Sequence, residues 1–308
     1  MSKSEPIVYL NGEFVPYRHA QLSIVDYAVL MGATVTDQLR TFGHRPFRLD
    51  EHLERFYSSC KYARIVPPHT LAETRQAVAT LVEHNAALVP SEADLGVVLF
   101  VSPGERPGYA AWKQDEVRSS PTFCIHSFPL QFSNWKDFVE KGVHVVTPPT
   151  RHVPPQCLES KIKHRSRLHW WIAEQEAHTV DPTAVPLLLD LQGNVTETAG
   201  ANFLIVKDNT VQSPLPRNIL KGVSLVTVME LCHSLGLKFV ERDLQLFEVT
   251  EAKEALVTTT PYCLAPVTRI NGLPIGDAEP GPIFSRLIQA WSELVGVDIL
   301  QQIHGVDS

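Results

Sequence analysis

Strand-like and helix-like stretches are mixed along this 308-residue chain without the regular alternation of a doubly wound parallel sheet, and that irregular order narrows the possible architectures most. The patterning lapses once, over 129–134, and then starts afresh. A mixed α/β fold of the α+β kind is therefore expected, in two domains over 1–130 and 137–308 with a linker over 131–136. With 44% apolar residues, both halves have enough material to bury a core.

The opening IVYLNGEFV (7–15) reads as two strands around Asn11 and Gly12, residues that tolerate the positive φ of a tight hairpin turn. VTDQLRTF (35–42) follows as a strand. Leu53, Phe56 and Tyr57 recur at helical spacing and predict a helix over 51–63, with a second over 71–85. Strands are expected at 95–101 and 122–128. In the second half, strands are predicted at 142–147, 186–190, 203–206, 236–242 and 254–259, and helices over 164–178 and 224–235.

A formal net charge of −7, with 13 scattered histidines and no basic stripe, argues against nucleic acid or an anionic membrane as partner. No run approaches the roughly 20 apolar residues of a membrane helix, and the first residues lack the pattern of a secretion signal, so a cytoplasmic protein is expected. Cys60, Cys124, Cys157, Cys232 and Cys263 lie far apart and never as C-x-x-C, which disfavours structural zinc and a disulfide framework. No metal is expected, and a small-molecule site is the default.

Two residues mark that site. Lys163, in IKHRSRL (162–168), stands among Lys161, His164, Arg165 and Arg167. Nearby positive charge favours the neutral amine that attacks a carbonyl, although the same cluster also suits a solvated basic patch at a helix start. Glu197, in GNVTETAGANF (193–203), follows an apolar run through a small-residue turn. A carboxylate there is able to keep a pyridine nitrogen protonated, with an ordinary polar loop residue as the alternative. ILKGVS (219–224) precedes an apolar-periodic helix. The backbone N–H groups of Val223 and Ser224 would then form an anion site, or Ser224 would simply cap the helix. Thr258, Thr259 and Thr260 close a strand with further donors, and Arg55 offers a guanidinium suited to phosphate. An imine-forming lysine, a ring carboxylate and a phosphate cradle are the parts that pyridoxal 5'-phosphate needs.

The order of these residues along the chain resembles the class IV aminotransferases, the pyridoxal phosphate family that includes branched-chain and D-amino acid aminotransferases, (R)-selective amine transaminases and aminodeoxychorismate lyases. The likeness covers nearly the whole chain. In PFRLDEHLERF (46–56), Arg55 falls on the family's phosphate-binding arginine. Lys163 falls on its Schiff-base lysine, Glu197 on its pyridine-nitrogen glutamate, and Val223, Ser224 and Thr260 on its phosphate cup. Lys161 is the rival lysine, but Lys163, His164, Arg167 and Leu168 align better and keep AEQEA (173–177) in register. The resemblance implies a small α+β N-terminal domain, a C-terminal pseudobarrel and a cofactor between them. It also implies a homodimer, and amino-group transfer between an amino acid or amine and a 2-keto acid through a Schiff base on Lys163.

Departures bear on the substrate. TDQLR (36–40) stands where branched-chain enzymes carry aromatic-Glu-Gly-Ile-Arg, so Thr36 and Gln38 give a more polar wall. The segment after Lys163 also lacks the Gly-Gly-Asn-Tyr of those enzymes. Arg40, and Arg106 in SPGERPGY (102–109), are candidates for gripping a substrate carboxylate. Two other readings are a lyase that eliminates pyruvate with the same cofactor, and a non-catalytic binding protein on this scaffold.

Overall fold

The computed structural model describes residues 5–112 and 120–305. The chain divides into two compact units, 1–130 with 162–167, and 131–161 with 168–308.

The first unit is built on β1 (Ile7–Leu10), β2 (Glu13–Pro16), β3 (Val35–Phe42), β4 (Arg45–Pro46), β5 (Leu95–Ser102) and β6 (Thr122–Pro129), in the spatial order β2-β1-β6-β5-β3-β4. Neighbouring strands are antiparallel. Asn11 and Gly12 make the β1–β2 turn with φ of 55° and 99°, the left-handed conformations that the Asn-Gly pair supplies cheaply. Besides the short α1 (Tyr27–Met31), the unit has α2 (Leu49–Ala63) and α3 (Leu71–Ala86). Because side chains alternate along a strand, Val35, Asp37 and Leu39 share one face of β3, and Thr36, Gln38 and Arg40 share the other. The first face meets α2, which buries Leu53 and Phe56, while α3 buries Val78 and Leu81. Asn85 on α3 closes this layer: its amide donates to the Ile7 carbonyl and its Oδ1 accepts from the Ile7 N–H, both at 2.9 Å.

The second unit contains α4 (Lys136–Glu140), β7 (Val143–Val146), α5 (Leu168–His178), β8 (Val185–Leu189), β9 (Val195–Thr198), β10 (Asn202–Lys207), β11 (Thr210–Ser213) and α6 (Val223–Ser234). It continues through β12 (Lys238–Glu241), α7 (Leu246–Thr250), β13 (Glu254–Thr259), β14 (Cys263–Ile270), β15 (Leu273–Pro274), α8 (Pro282–Val295) and α9 (Ile299–His304). The sheet order is β12-β11-β10-β13-β14-β7-β8-β9, with β15 on β14, and β9 pairs back onto β10 where Glu197 meets Asn202. Six strands, β10, β13, β14, β7, β8 and β9, thus close on themselves, which is the expected pseudobarrel. Phe203, Leu204 and Ile205 are all fully buried, as strands covered on both faces require. On α6, Val228 and Leu231 are buried, as are Leu287, Ile288 and Trp291 on α8, and the two helices pack together.

Three local expectations change. The helix expected from 164 begins at Leu168, because residues 163–165 pair with the start of β3 instead. The stretch 131–136 is a 3-10 turn, Phe132–Trp135, running directly into α4. Val195–Thr198, read as part of a turn, is a strand. Among the described residues no helix is long and apolar enough to cross a membrane, and no group of three or more His, Cys, Asp or Glu is placed to hold a metal.

Candidate active site

Each unit carries part of the candidate set. In the first, the Thr36 N–H donates to the Lys163 carbonyl and the Arg165 N–H to the Thr34 carbonyl, both at 3.0 Å, with His164 opposite Val35. In this extended pairing Lys163 and Arg165 take the sheet face of Thr34 and Thr36. The Ser166 hydroxyl donates to the Gly32 carbonyl at 2.7 Å and anchors the end of the segment. Lys163 is half-buried, whereas its rival Lys161 is exposed. The segment carrying Lys163 clusters with the first unit, not with the second half in which sequence order places it.

Behind Thr36, on the helix side, a charged cluster fills the layer between β3 and α2. Asp37 is fully buried and accepts from Arg55 Nε at 2.9 Å, Arg55 Nη2 at 2.8 Å and His52 Nδ1 at 2.7 Å. Burial by itself would raise the Asp37 carboxyl, but the Arg55 guanidinium and the His52 ring hold it well below the usual carboxylate range. His52 is pushed down mainly by burial, against the pull of Asp37 and with help from the charges of Arg55 and Lys163. Arg55 thus turns its Nε–Nη2 edge to Asp37. Sequence reasoning missed Asp37 and His52. The three-residue spacing puts His52 and Arg55 on one helix face, but nothing local in the sequence joins that face to Asp37, 18 residues from Arg55.

The second unit holds Glu197, which lies in β9. Its Oε2 accepts from the Leu220 N–H at 3.0 Å and the Asn202 amide at 3.1 Å, and its Oε1 lies 3.4 Å from His152 Nε2. The Asn202 amide also donates to the Leu220 carbonyl at 2.9 Å. Two residues beyond Leu220, Gly222 is the N-cap of α6. Ser224 is thus inside the helix and is not its cap, and no side chain caps this helix start. A Cβ on Gly222 would run into Asn202 Oδ1. The carboxylate and the helix start are in this way tied through one asparagine. Thr260 opens the turn after β13, next to Thr258 and Thr259, and Thr258 lies opposite Asn202 in register. His152, buried beside Glu197 and edge-on to Trp170, is a further residue that sequence reasoning did not single out.

These parts fit pyridoxal phosphate by their chemistry. The uncapped start of α6 offers N–H groups of Val223 and Ser224 for a dianion, and the Glu197 carboxylate is fixed in direction. The substrate candidates fare unevenly. Arg40 is 1% exposed, ion-paired with Asp94 at 3.5 Å and stacked on Phe42, so its fork is spent inside the fold and it leaves the candidate set. The Thr36 hydroxyl donates to the Leu99 carbonyl at 2.8 Å. Arg106 is partly exposed and lies over the Tyr109 ring. Its loop is tied to α1, because the Tyr27 N–H donates to the Gly104 carbonyl and the Arg106 N–H to the Val25 carbonyl, each at 2.9 Å.

Residues 34–270 match the family model described as amino-transferase class IV. Branched-chain-amino-acid aminotransferase-like protein 1 of Arabidopsis thaliana is 29% identical over 94% of this chain and 50% of its own length, so the chain spans about half of that relative. D-alanine aminotransferase of Bacillus licheniformis is 27% identical over 90% of this chain and 92% of its own. Among solved structures, the T.th. branched-chain amino acid aminotransferase with pyridoxamine 5'-phosphate superposes with a TM-score of 0.84 at 23% identity, covering 95% of this chain and 94% of that one. The branched-chain amino acid aminotransferase of Escherichia coli gives 0.82 at 22% identity, covering 95% of each chain.

Proposed function

The chain belongs to the class IV aminotransferase family, and on that premise we propose that it is a pyridoxal phosphate-dependent enzyme moving an amino group from an amino acid or amine to a 2-keto acid. The observation that carries this reading is the set of hydrogen bonds joining Glu197, Asn202 and Leu220 beside the uncapped start of α6, which ties a carboxylate to a helix N-terminus suited to a phosphate. When bound, the cofactor supplies an electron sink for the charge left at the substrate's Cα. Lys163 would hold the cofactor through its aldehyde and would carry a proton to and from the substrate carbon as general base and acid. Glu197 would keep a proton on the ring nitrogen. Val223 and Ser224 N–H groups, Thr260 and Arg55 would bind the phosphate. Thr36 and Arg106 line the substrate's side, Arg106 offering its guanidinium to a carboxylate.

The protein acts as a homodimer in this reading, supported by apolar side chains left exposed around α1. Five free thiols suit a reducing compartment, in keeping with a cytoplasmic enzyme. The near-ultraviolet and visible spectrum of the purified protein tests the activity, taken before and after adding L-amino acids, D-amino acids or (R)-amines without an acceptor. A yellow band that bleaches with one donor class is expected and names the donor's hand. A yellow protein that no donor bleaches and that releases pyruvate from aminodeoxychorismate without an acceptor is a lyase instead. A colourless protein that pyridoxal phosphate does not reconstitute overturns the proposal.

A further inference from the structure

The face of the first sheet opposite α2 and α3 carries a cavity of about 230 Å³ that the proposed chemistry leaves unassigned. Its floor is a set of cross-strand neighbours. Leu10 pairs with Cys124, Cys124 with Phe100 and Phe100 with Thr36, while His126 and Val8 extend the same face. Tyr17, Ala20, Gln21 and Leu22, just beyond β2, form the opposite wall. Lys163 and Arg165 take this face too, on the far side of β3. With strands spaced by about 4.8 Å, the cavity begins roughly 10 Å from the Lys163 backbone.

The electrostatics of the cavity are one-sided. Burial pushes the Cys124 thiol up to about 12, with Arg165 offsetting only part of the rise. Burial, and then Arg165, hold the His126 ring below its ordinary value. The floor is therefore uncharged at neutral pH and mostly apolar. Arg165 is an exposed residue whose guanidinium is partly desolvated and is close enough to act on Cys124 and His126, and no ion pair engages it among the described residues. A flat apolar body with an anion at its far end matches this arrangement, because the ring removes apolar floor from water and the anion meets a planar fork.

We propose that this cavity is the side-chain subsite for a substrate whose side chain is an aromatic ring bearing a distal carboxylate, the ring lying on Phe100, Cys124 and His126 and the carboxylate paired with Arg165. The proposal rests on the reading of Lys163 as the reacting lysine, since that residue fixes where the substrate's Cα lies. It assigns Arg165 to specificity and not to the chemical step.

The test compares pyruvate, phenylpyruvate and 4-carboxyphenylpyruvate as amino acceptors for the pyridoxamine phosphate-loaded enzyme. In the natural chain, kcat/KM is expected to rise in that order, by about tenfold for the distal carboxylate. Arg165→Ala brings 4-carboxyphenylpyruvate down to the level of phenylpyruvate and leaves pyruvate unchanged. Cys124→Phe, which fills the floor, and Ala20→Leu, which fills the opposite wall should the first variant fail to fold, lower both aryl acids by about tenfold and spare pyruvate. Equal effects on all three acceptors, or no preference for aryl acids in the natural chain, overturn the subsite. If no acceptor reacts at all, transamination itself is wrong. The cavity is then judged by calorimetric titration with 3-(4-carboxyphenyl)propanoate, where binding lost in Arg165→Ala supports the subsite and absence of binding in the natural chain overturns it.

Discussion

Lys163 and Lys161 differ in what the backbone does around them. The first is held against β3 by two backbone hydrogen bonds that flank it and is half-buried, while the second is exposed. An imine lysine needs a fixed approach, so Lys163→Ala is expected to abolish both turnover and the visible absorption band, and Lys161→Ala to leave both nearly intact. The reverse pattern in the two spectra would remove Lys163 from the site. Next to it, Asp37 holds Arg55 and His52 together in a buried cluster. Asp37→Asn leaves the Arg55 guanidinium short of its counter-charge and is expected to cost about 3–5 kcal/mol, read from the urea midpoint. The native pH response follows from the same group. The folded-state pKa of Asp37 is depressed, so its contribution is complete above the unfolded value of about 4 and is lost as pH falls below it. His52, also depressed in the fold, starts the decline earlier, below about 6.5, because the unfolded chain takes up a proton that the buried ring resists. Melting temperature should therefore fall in two stages on acidification, and Asp37→Asn should flatten the lower one.

At the scale of elements, the junction of β9, β10 and α6 decides how the second unit presents the helix start proposed to take the phosphate. Gly222 has φ of −65°, which any residue adopts, so its requirement is space and not backbone freedom. A methyl group there meets the Asn202 side chain, which has little room to yield because its amide is committed to Glu197 and Leu220. Gly222→Ala is expected to cost about 1–3 kcal/mol by crowding. It should also weaken pyridoxal phosphate binding by about tenfold, in a titration of cofactor-free protein, because displacing Asn202 turns both Glu197 and the helix start. Unchanged affinity would separate these hydrogen bonds from the cofactor. Elements with strong period were legible in sequence: β3 and β13 appear with the predicted bounds, and α2 and α3 differ by one or two residues. The miss at residues 164–167 has a plain cause. Their charges fit a helix start, and only pairing with the distant residues 34–36 makes them extended. β9 was hidden for a similar reason, since Val195–Thr198 is short and polar and becomes a strand only by closing the ring between β8 and β10. Arg40 and Arg55 were recognised as notable, yet their partners Asp94 and Asp37 lie 54 and 18 residues away and no local pattern joins them.

At the scale of the whole molecule, the distribution of apolar surface bears on the proposed homodimer. Ile24 is 81% exposed and Met31 61%, with Val29 between them also exposed. All three lie on or beside α1, whose N-terminus is tied to the loop that carries Arg106 and the exposed Tyr109. Apolar groups gathered this closely on a protein surface mark an interface more often than chance exposure does. Tying α1 to the Arg106 loop also has a mechanical consequence: whatever covers α1 fixes the loop that is proposed to meet the substrate carboxylate. Sedimentation equilibrium is therefore expected to give twice the chain mass of 34.4 kDa. The double variant Ile24→Asp and Met31→Asp should shift this toward the single chain while the far-ultraviolet spectrum stays native. In the dissociated form the KM for acid substrates should rise by at least about tenfold, with a smaller change in kcat, because the chemistry at Lys163 stays intact while the loop loses its support. A monomeric natural chain with full activity would show that these apolar groups serve something other than self-association.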